Sequence, residues 1–218
     1  FMGVSLFLGT FLQQAALQYT NIANAAFFTV FYVPLVPILL FIIYSKKVHW
    51  SIWPAIGLCV LGVYFLSDFS NSQIMLGDGL VILCSVFWAL HIIYAGKFME
   101  VFNIPIFYAA LQALFVALLS ILFSYIFEEI NFSKILMESS SILYAGALSG
   151  GIAFTLQMYA QKNIEEAPAA IIYSLEGVFA AIAGWIILNQ FLSMNNMIGC
   201  FLILIAVISS QISPSSKN

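Results

Sequence analysis

Three apolar spans near the start of this chain return 144 residues later, in the same order and register. Leu12-Gln13 corresponds to Leu156-Gln157, Ala16 to Ala160, Ala23 to Ala167 and Ala25-Ala26 to Ala169-Ala170. Ile42-Ile43 corresponds to Ile186-Ile187, Leu58 to Leu202 and Val63 to Val207. Eleven of the 55 positions from Leu12 to Leu66 are identical. Alanine and leucine recur in any apolar span, so identity weighs less than a register held through three helices and two loops. Each copy comes five helices after its original. An odd number reverses direction, so the copy runs the opposite way through a bilayer.

The bilayer itself follows from composition. The chain is 63% apolar and only 7% charged, with mean hydropathy +1.07. A soluble domain carries about 25% charged residues, so this chain lacks the polar surface to solvate a globule. It reads as an all-α polytopic membrane protein. The net charge of -3 and six basic residues, all lysines, form no basic patch for nucleic acid. Cys59, Cys84 and Cys200 fall inside apolar spans, where a thiol behaves as a small apolar group. Their spacing matches no metal motif, and neither a disulfide nor a cofactor is expected. No signal peptide is visible, and a start at Phe1 suggests a fragment.

A hydrocarbon core about 30 Å thick needs roughly 20 apolar residues per helix. Eight spans qualify: 2–19, 22–44, 52–67, 78–97, 105–127, 141–161, 168–188 and 195–212. Strands alternating as in a barrel are absent, and a lipid-embedded backbone must satisfy its own hydrogen bonds, so the spans are helices. Ser51, Asp78, Asn103 and Ser193 are placed to cap helices, with Pro54 and Pro168 in first turns. Segments 67–77 and 128–140 read as surface loops. Alternating the loops between two sides puts Lys46, Lys47, Lys97, Lys162 and Lys217 together and only Lys134 opposite. The positive-inside rule makes the first side cytoplasmic, with both termini there. The repeat assigns 1–67 to a partial first unit of three helices, 68–77 to a link, and 78–212 to a complete second unit of five. Residues 213–218 form a polar cytoplasmic tail. Two helices are then absent before the first span, and eight of an expected ten are present. Inverted repeats of this kind are the architecture of secondary transporters.

Glu176 is the acidic residue inside a span, near its middle. An acid at a helix centre costs about 2.5–3.5 kcal/mol on insertion scales, so it must face a bundle interior, a wet cavity or a partner. A carboxyl in a dry pocket can hold a proton; a structural carboxyl bonded to backbone near Gly177 is the other reading. Its repeat partner is Tyr32. Tyr173 shares its face. Gly177, Ala180, Ala181 and Gly184, and Gly146 with Gly150, form small-residue seams that admit a packed neighbour. His91 lines a cavity beside Trp88, relays protons, or bonds a backbone carbonyl. Gln13 and Gln157, kept by the repeat in opposite halves of the membrane, suit gates on two sides of a centre, or interhelical hydrogen bonds. Pro34 and Pro37 each remove a backbone donor and can kink their span. No phosphate-binding loop, metal cluster or nucleophile–base arrangement argues for an enzyme, so transport would run on a gradient or exchange.

These residues together resemble the drug/metabolite transporter superfamily, in particular its EamA-type ten-helix members. The resemblance rests on Ala16-Leu17-Gln18-Tyr19-Thr20, Ala25-Ala26-Phe27, Tyr32 through Pro37 and Trp53 through Tyr64. In the second unit it rests on Gly77-Asp78, Trp88-Ala89, Gln157 through Gln161, Ala169-Ala170, Ser174-Leu175-Glu176 and Ile198 through Val207. It implies two five-helix units and alternating-access movement of small metabolites or drugs by efflux or exchange across an inner (plasma) membrane. It implies a central cavity holding Glu176, Tyr173, Tyr32, Trp88 and His91, with Gln157 and Gln13 along the pathway. Partners would be a small-molecule substrate, protons or a counter-substrate, the lipid bilayer and a second copy in a homodimer, with no nucleic acid. The family often has proline after the glutamate, where this chain has Gly177, and a glutamate where it has Asn189-Gln190. A membrane enzyme acting on lipid or isoprenoid substrates, or an inactive truncated or assembly subunit, are the alternatives.

Overall fold

The computed structural model describes residues 1–69 and 73–212. The tail, with Lys217, and part of the expected link lie outside these residues. The chain folds into α1 (Met2–Ala16), α2 (Ile22–Thr29), α3 (Tyr32–Tyr44), α4 (Ile52–Leu66), α5 (Leu76–Phe102) and α6 (Pro105–Phe127). Two short helices follow, α7 (Phe132–Met137) and α8 (Ser139–Leu143). A π-helical stretch, Tyr144–Ala153, leads into α9 (Phe154–Gln161), then α10 (Glu166–Tyr173), α11 (Leu175–Leu188) and α12 (Met194–Ile212). The rods fall where the apolar spans predict them, with two of the spans broken. Six are long and apolar enough to cross a membrane: 22–44, 76–102, 105–127, 139–161, 166–188 and 194–212. α1 and α4 are shorter, at 15 residues each. Leu114, Leu118, Ile121 and Tyr125 stand exposed on α6, as they must where lipid replaces water. This is a multi-pass, all-helical membrane fold.

The repeat is written into the backbone more clearly than into the side chains. Adding 144 to α2 gives α10, and adding it to the α2–α3 break at Val30 gives the α10–α11 break at Ser174. The same turn closes each break: Val33 N–H donates to the Val30 carbonyl at 2.9 Å, and Gly177 N–H to the Ser174 carbonyl at 3.2 Å. The helix ends match as well. Ser45 and Asn189 both take a left-handed conformation, at φ 53° and 50°. Lys46 N–H reaches back six residues to the Leu40 carbonyl, as Gln190 N–H does to Gly184, so both helices close across a left-handed residue in the same way.

The first break has the expected chemical cause, a missing proline donor, but lies upstream of both prolines. Pro34 has no N–H to give Val30, so the ladder fails there and the break falls at Val30–Phe31, upstream of the proline. Pro37 lies inside α3 without interrupting it. The caps also differ in part. Asp78 works from the third position of α5, where it accepts from Met75 N–H at 2.8 Å. Ser51 bonds His49 instead of capping α4, and Asn103 ends α5 in a left-handed turn rather than starting α6. Ser193 does cap α12, accepting from Asn196 N–H at 3.2 Å.

Repeat-mates α4 and α12 pack antiparallel, which is what inversion requires. Leu66 lies beside Asn196 and Gly199, and Gly62 beside Gly199 and Ile203. A Cβ on Gly199 would sit 2.6 Å from the Gly62 carbonyl oxygen and from Leu66 N. Between apolar helices in lipid, close backbone approach supplies much of the association. The equivalent positions, Ala55 and Ala206, are small and buried too. This pair anchors the main core, where Val33, Val36, Cys59, Ile93, Ile171 and Ile203 meet from five helices.

Candidate functional site

The two broken helices bring their interruptions to one place. Tyr32, first residue of α3, is buried at 8% exposure, within electrostatic range of Cys59, Glu176 and Tyr173. Cys59, fully buried on α4, is in hydrogen-bonding contact with the Ser174 side chain. Ser174 also donates its hydroxyl to the Ile171 carbonyl at 2.6 Å, beside the bond from its own backbone N–H at 3.2 Å. Glu176, the second residue of α11, opens onto the exposed face of the folded chain. The Tyr173 hydroxyl is buried without a hydrogen-bond partner. The junction therefore offers a carboxylate, two phenols, a hydroxyl and a thiol around two interrupted helices. The Tyr173 hydroxyl is thus a polar group at the junction able to donate or accept a hydrogen bond.

Trp88 packs against the same core. Three atoms of its indole lie 3.4–3.5 Å from where a Cβ on Gly9 would be, so the ring rests flat on α1 at a residue with no side chain. Its ring nitrogen is buried without a conventional partner, beside the Cys84 thiol. Phe154 lies parallel to it with centroids 6.4 Å apart. His91 stands perpendicular to both, at 6.1 and 5.8 Å. His91 is fully buried and bonds the Gln112 side chain at 2.9 Å, not a backbone carbonyl.

Gln13 donates to the Thr29 hydroxyl at 3.3 Å, one residue before the first break. Gln157 donates to Gln161, whose amide reaches the Ile92 carbonyl at 2.9 Å. Gln13 thus ties two helices directly, while the bond of Gln157 stays within α9 and Gln161 makes the tie to α5. Of the small-residue seam, Gly177 meets Leu66 of α4, and Gly184 seats Gln190 from its own helix end. Ala180 is exposed and Ala181 half-buried. Among the described residues no neighbouring helix approaches Gly146 or Gly150, which lie in the π-helical stretch.

Each end of the bundle is closed by a buried carboxylate. Lys46 and Lys162 line one cleft with Glu100, Glu165 and Glu166, and with Lys97 they are three of the lysines grouped by sequence that share an end. There Glu166, 4% exposed, pairs with Lys46 at 3.0 Å and Lys97 at 3.6 Å. Lys97 also pairs with Glu100 and lies over the Tyr44 ring. Nineteen residues back along α5, about 28 Å at 1.5 Å per residue, Asp78 accepts from Thr20, from Asn24 at 2.8 Å and from Met75 N–H. The α1–α2 turn and the α9–α10 turn, themselves repeat-mates, are the segments tied at the two ends.

Sequence reasoning missed Gln112, Cys59, Ser174 and the ties of Asp78 and Glu166. Gln112 was visible as a polar residue in the middle of an apolar 23-residue helix. Glu166 sat at a span edge, where a charge is unremarkable.

Comparison with known proteins follows this geometry. A sequence profile of the EamA-like transporter family matches residues 75–210. An uncharacterized transporter from Archaeoglobus fulgidus (strain ATCC 49558 / DSM 4304 / JCM 9628 / NBRC 100126 / VC-16) is 33% identical over 207 residues, which are 95% of this chain. The chain spans 66% of that relative's length. One solved crystal structure superimposes with TM-score 0.79 at 18% identity, over 97% of this chain and 76% of the other.

Proposed function

We propose that this chain, which belongs to the EamA-like transporter family, works as a secondary-active carrier, moving a small metabolite or drug by alternating access. One observation carries the reading: two inverted helices break at equivalent residues and gather Tyr32, Cys59, Ser174 and Glu176 at the breaks. Broken helices near the midplane are where carriers present helix ends and freed backbone to a ligand. Two like halves meeting at one polar junction can also rock about it, exposing it to either side in turn.

On this reading Glu176 binds the substrate or carries a proton, with Tyr173, Tyr32 and Trp88 lining the pathway and His91 behind Trp88. Gln13, and Gln157 through Gln161, lie along the pathway on opposite sides of the centre. The Glu166 pairs with Lys46 and Lys97 hold one mouth shut, and the Thr20–Asp78–Asn24 cluster holds the other. Opening a mouth then costs the contacts of its own tie, and substrate must bind the open form better to favour it. The lysine-rich end faces the cytoplasm of a plasma-membrane protein, with 1–67 and 78–212 as the two moving units, and transport runs in the efflux or exchange direction.

The test is flux through the full-length protein in proteoliposomes, screening amino acids, nucleobases, sugars and organic cations with and without a pH gradient. The reading expects at least one class to move, and Glu176→Gln to abolish that movement or its pH dependence. Normal flux with unchanged pH dependence in Glu176→Gln would remove the carboxyl from the mechanism.

A further inference from the structure

α5 lies outside both copies of the 144-residue echo, and it receives both copies of one turn. The α1–α2 turn rests on it at Gly77, and Glu166, where the α9–α10 turn enters α10, rests on it at Gly96. The two glycines stand 19 residues apart, about 28 Å of helix. Each is followed by the charged residue that ties its turn, as Gly77-Asp78 and Gly96-Lys97.

Neither glycine has room for a side chain. A Cβ on Gly77 would fall 2.6 Å from the Ala16 carbonyl oxygen, 2.8 Å from the Tyr19 carbonyl carbon and 2.9 Å from Thr20 N. All three are backbone atoms, and Gly77 N–H itself donates to the Tyr19 carbonyl at 3.1 Å. Nothing there can swing aside, so a methyl must lift the whole turn. A Cβ on Gly96 would fall 2.8 Å from Cγ of Glu166. That is a side chain, but a buried one, and its carboxylate is held by Lys46 and Lys97. It yields only by slackening those pairs. Gly79, in the same first turn as Gly77, meets nothing within 4 Å, so a glycine in α5 is not by itself such a seat.

We propose that Gly77 and Gly96 are the gate seats of the carrier: each lets one turn close one end of the bundle onto α5, and a methyl at either seat opens that end alone. The inference rests on the carrier reading above. Both glycines are positioning residues, which act through the turn they admit. α5 is then a common post, and each end opens as its own turn lifts from it. The seats differ in stiffness. Backbone meets backbone at Gly77, so the α1–α2 turn has no choice but to move. At Gly96 the methyl meets a side chain, so Glu166 gives ground and that end opens less.

The experiment is sided thiol labelling of the full-length protein in sealed vesicles, with one reporter for each end. Cys84 lies seven residues inward of Gly77 and Ala89 seven inward of Gly96, each on its seat's face of α5. Both are fully buried. With Cys59→Ala and Cys200→Ala, Cys84 reports on the first end; Ala89→Cys, with Cys84→Ala added, reports on the other. A membrane-impermeant thiol reagent is applied to each face in turn. Gly77→Ala should raise labelling of Cys84 about tenfold from the face opposite Lys47, with Ala89→Cys unchanged within about twofold. Gly96→Ala should raise labelling of Ala89→Cys about threefold from the Lys47 face, with Cys84 unchanged within about twofold. Gly79→Ala should move neither. Thr20→Val loosens the same turn as Gly77→Ala without adding bulk; it should raise Cys84 labelling from the same face, and it carries the test where Gly77→Ala fails to assemble. A rise at both reporters in one variant, a rise at neither, or a Gly79→Ala effect equal to that of Gly77→Ala overturns the proposal. Sided labelling without flux of any substrate class supports the seats and sinks the carrier reading. Flux without sided labelling does the reverse.

Discussion

The α2–α3 helix and the α10–α11 helix share a backbone and differ in nearly everything hung on it. Both break after the same count of residues, turn through the same carbonyl and end in the same left-handed cap. The first break is forced by Pro34, and the residue that follows it inward is Tyr32, buried in the core. The second has no proline at that point, only Ser174 and Gly177, and the residue matching Tyr32 is Glu176, which stands open. The duplicated scaffold has therefore kept the geometry of its break while the side chains placed there diverged. The break does not need the proline, because in each half the turn carbonyl is satisfied by the N–H three residues on, Val30 by Val33 and Ser174 by Gly177. The side chains at the break diverge instead, a phenol at Tyr32 and a carboxylate at Glu176.

The widest gap between the halves should appear at that pair. Glu176→Gln should cut transport by about tenfold or more, equal to some 1.4 kcal/mol of transition-state stabilisation. Tyr32→Phe should cost only about two- to threefold, because its hydroxyl stands beside the carboxyl and not in its place. Equal losses measured by initial flux would mean the halves have not specialised. The next contrast lies in the α4–α12 crossing. Gly199→Ala should destabilise the fold by about 1–3 kcal/mol, since the new methyl meets fixed backbone at 2.6 Å. Its mate is Ala55, which already carries that methyl, so the crossing is closer at one end than at the other.

The ties at the two ends give a smaller contrast. Lys46→Met should lower the melting temperature of the purified protein and make it less sensitive to added salt, by about 1 kcal/mol, since Lys97 remains to Glu166 and Lys46 is partly exposed. Thr20→Val at the opposite tie should cost a similar amount with no change in salt sensitivity, because its donors to Asp78 are neutral. Least of all, Gly57→Ala should leave stability unchanged or raise it by up to about 1 kcal/mol, since nothing lies within 4 Å of a Cβ there.

Much of this could be read before any coordinates. Hydropathy located the rods, and a 144-residue echo in ordinary apolar letters predicted equivalences that the hydrogen bonds then repeat. The break in the first half was legible from Pro34, though displaced by a turn, because proline disables the carbonyl four residues before it. The break in the second half was not, since serine and glycine mark many places that do not break. Glu176 announced itself by the cost of an acid within a span. Gln112 was equally polar and equally central, but an uncharged amide has no such cost to flag it, and its pairing with His91 depends on how α5 faces α6. The ties at Asp78 and Glu166 were hidden for a related reason: a charge at a helix end is unremarkable until the chain that folds over it is known.

The account rests on the two halves running in opposite directions through the membrane. Lys47 and Phe191 are repeat-mates just past the two matching caps, and both are exposed. Labelling Lys47→Cys and Phe191→Cys in sealed vesicles with a membrane-impermeant thiol reagent, against the unaltered chain as background, decides the matter. The account predicts that the two positions react from opposite faces, with Lys162→Cys reacting from the Lys47 side. Reaction of Lys47→Cys and Phe191→Cys from the same face would contradict it.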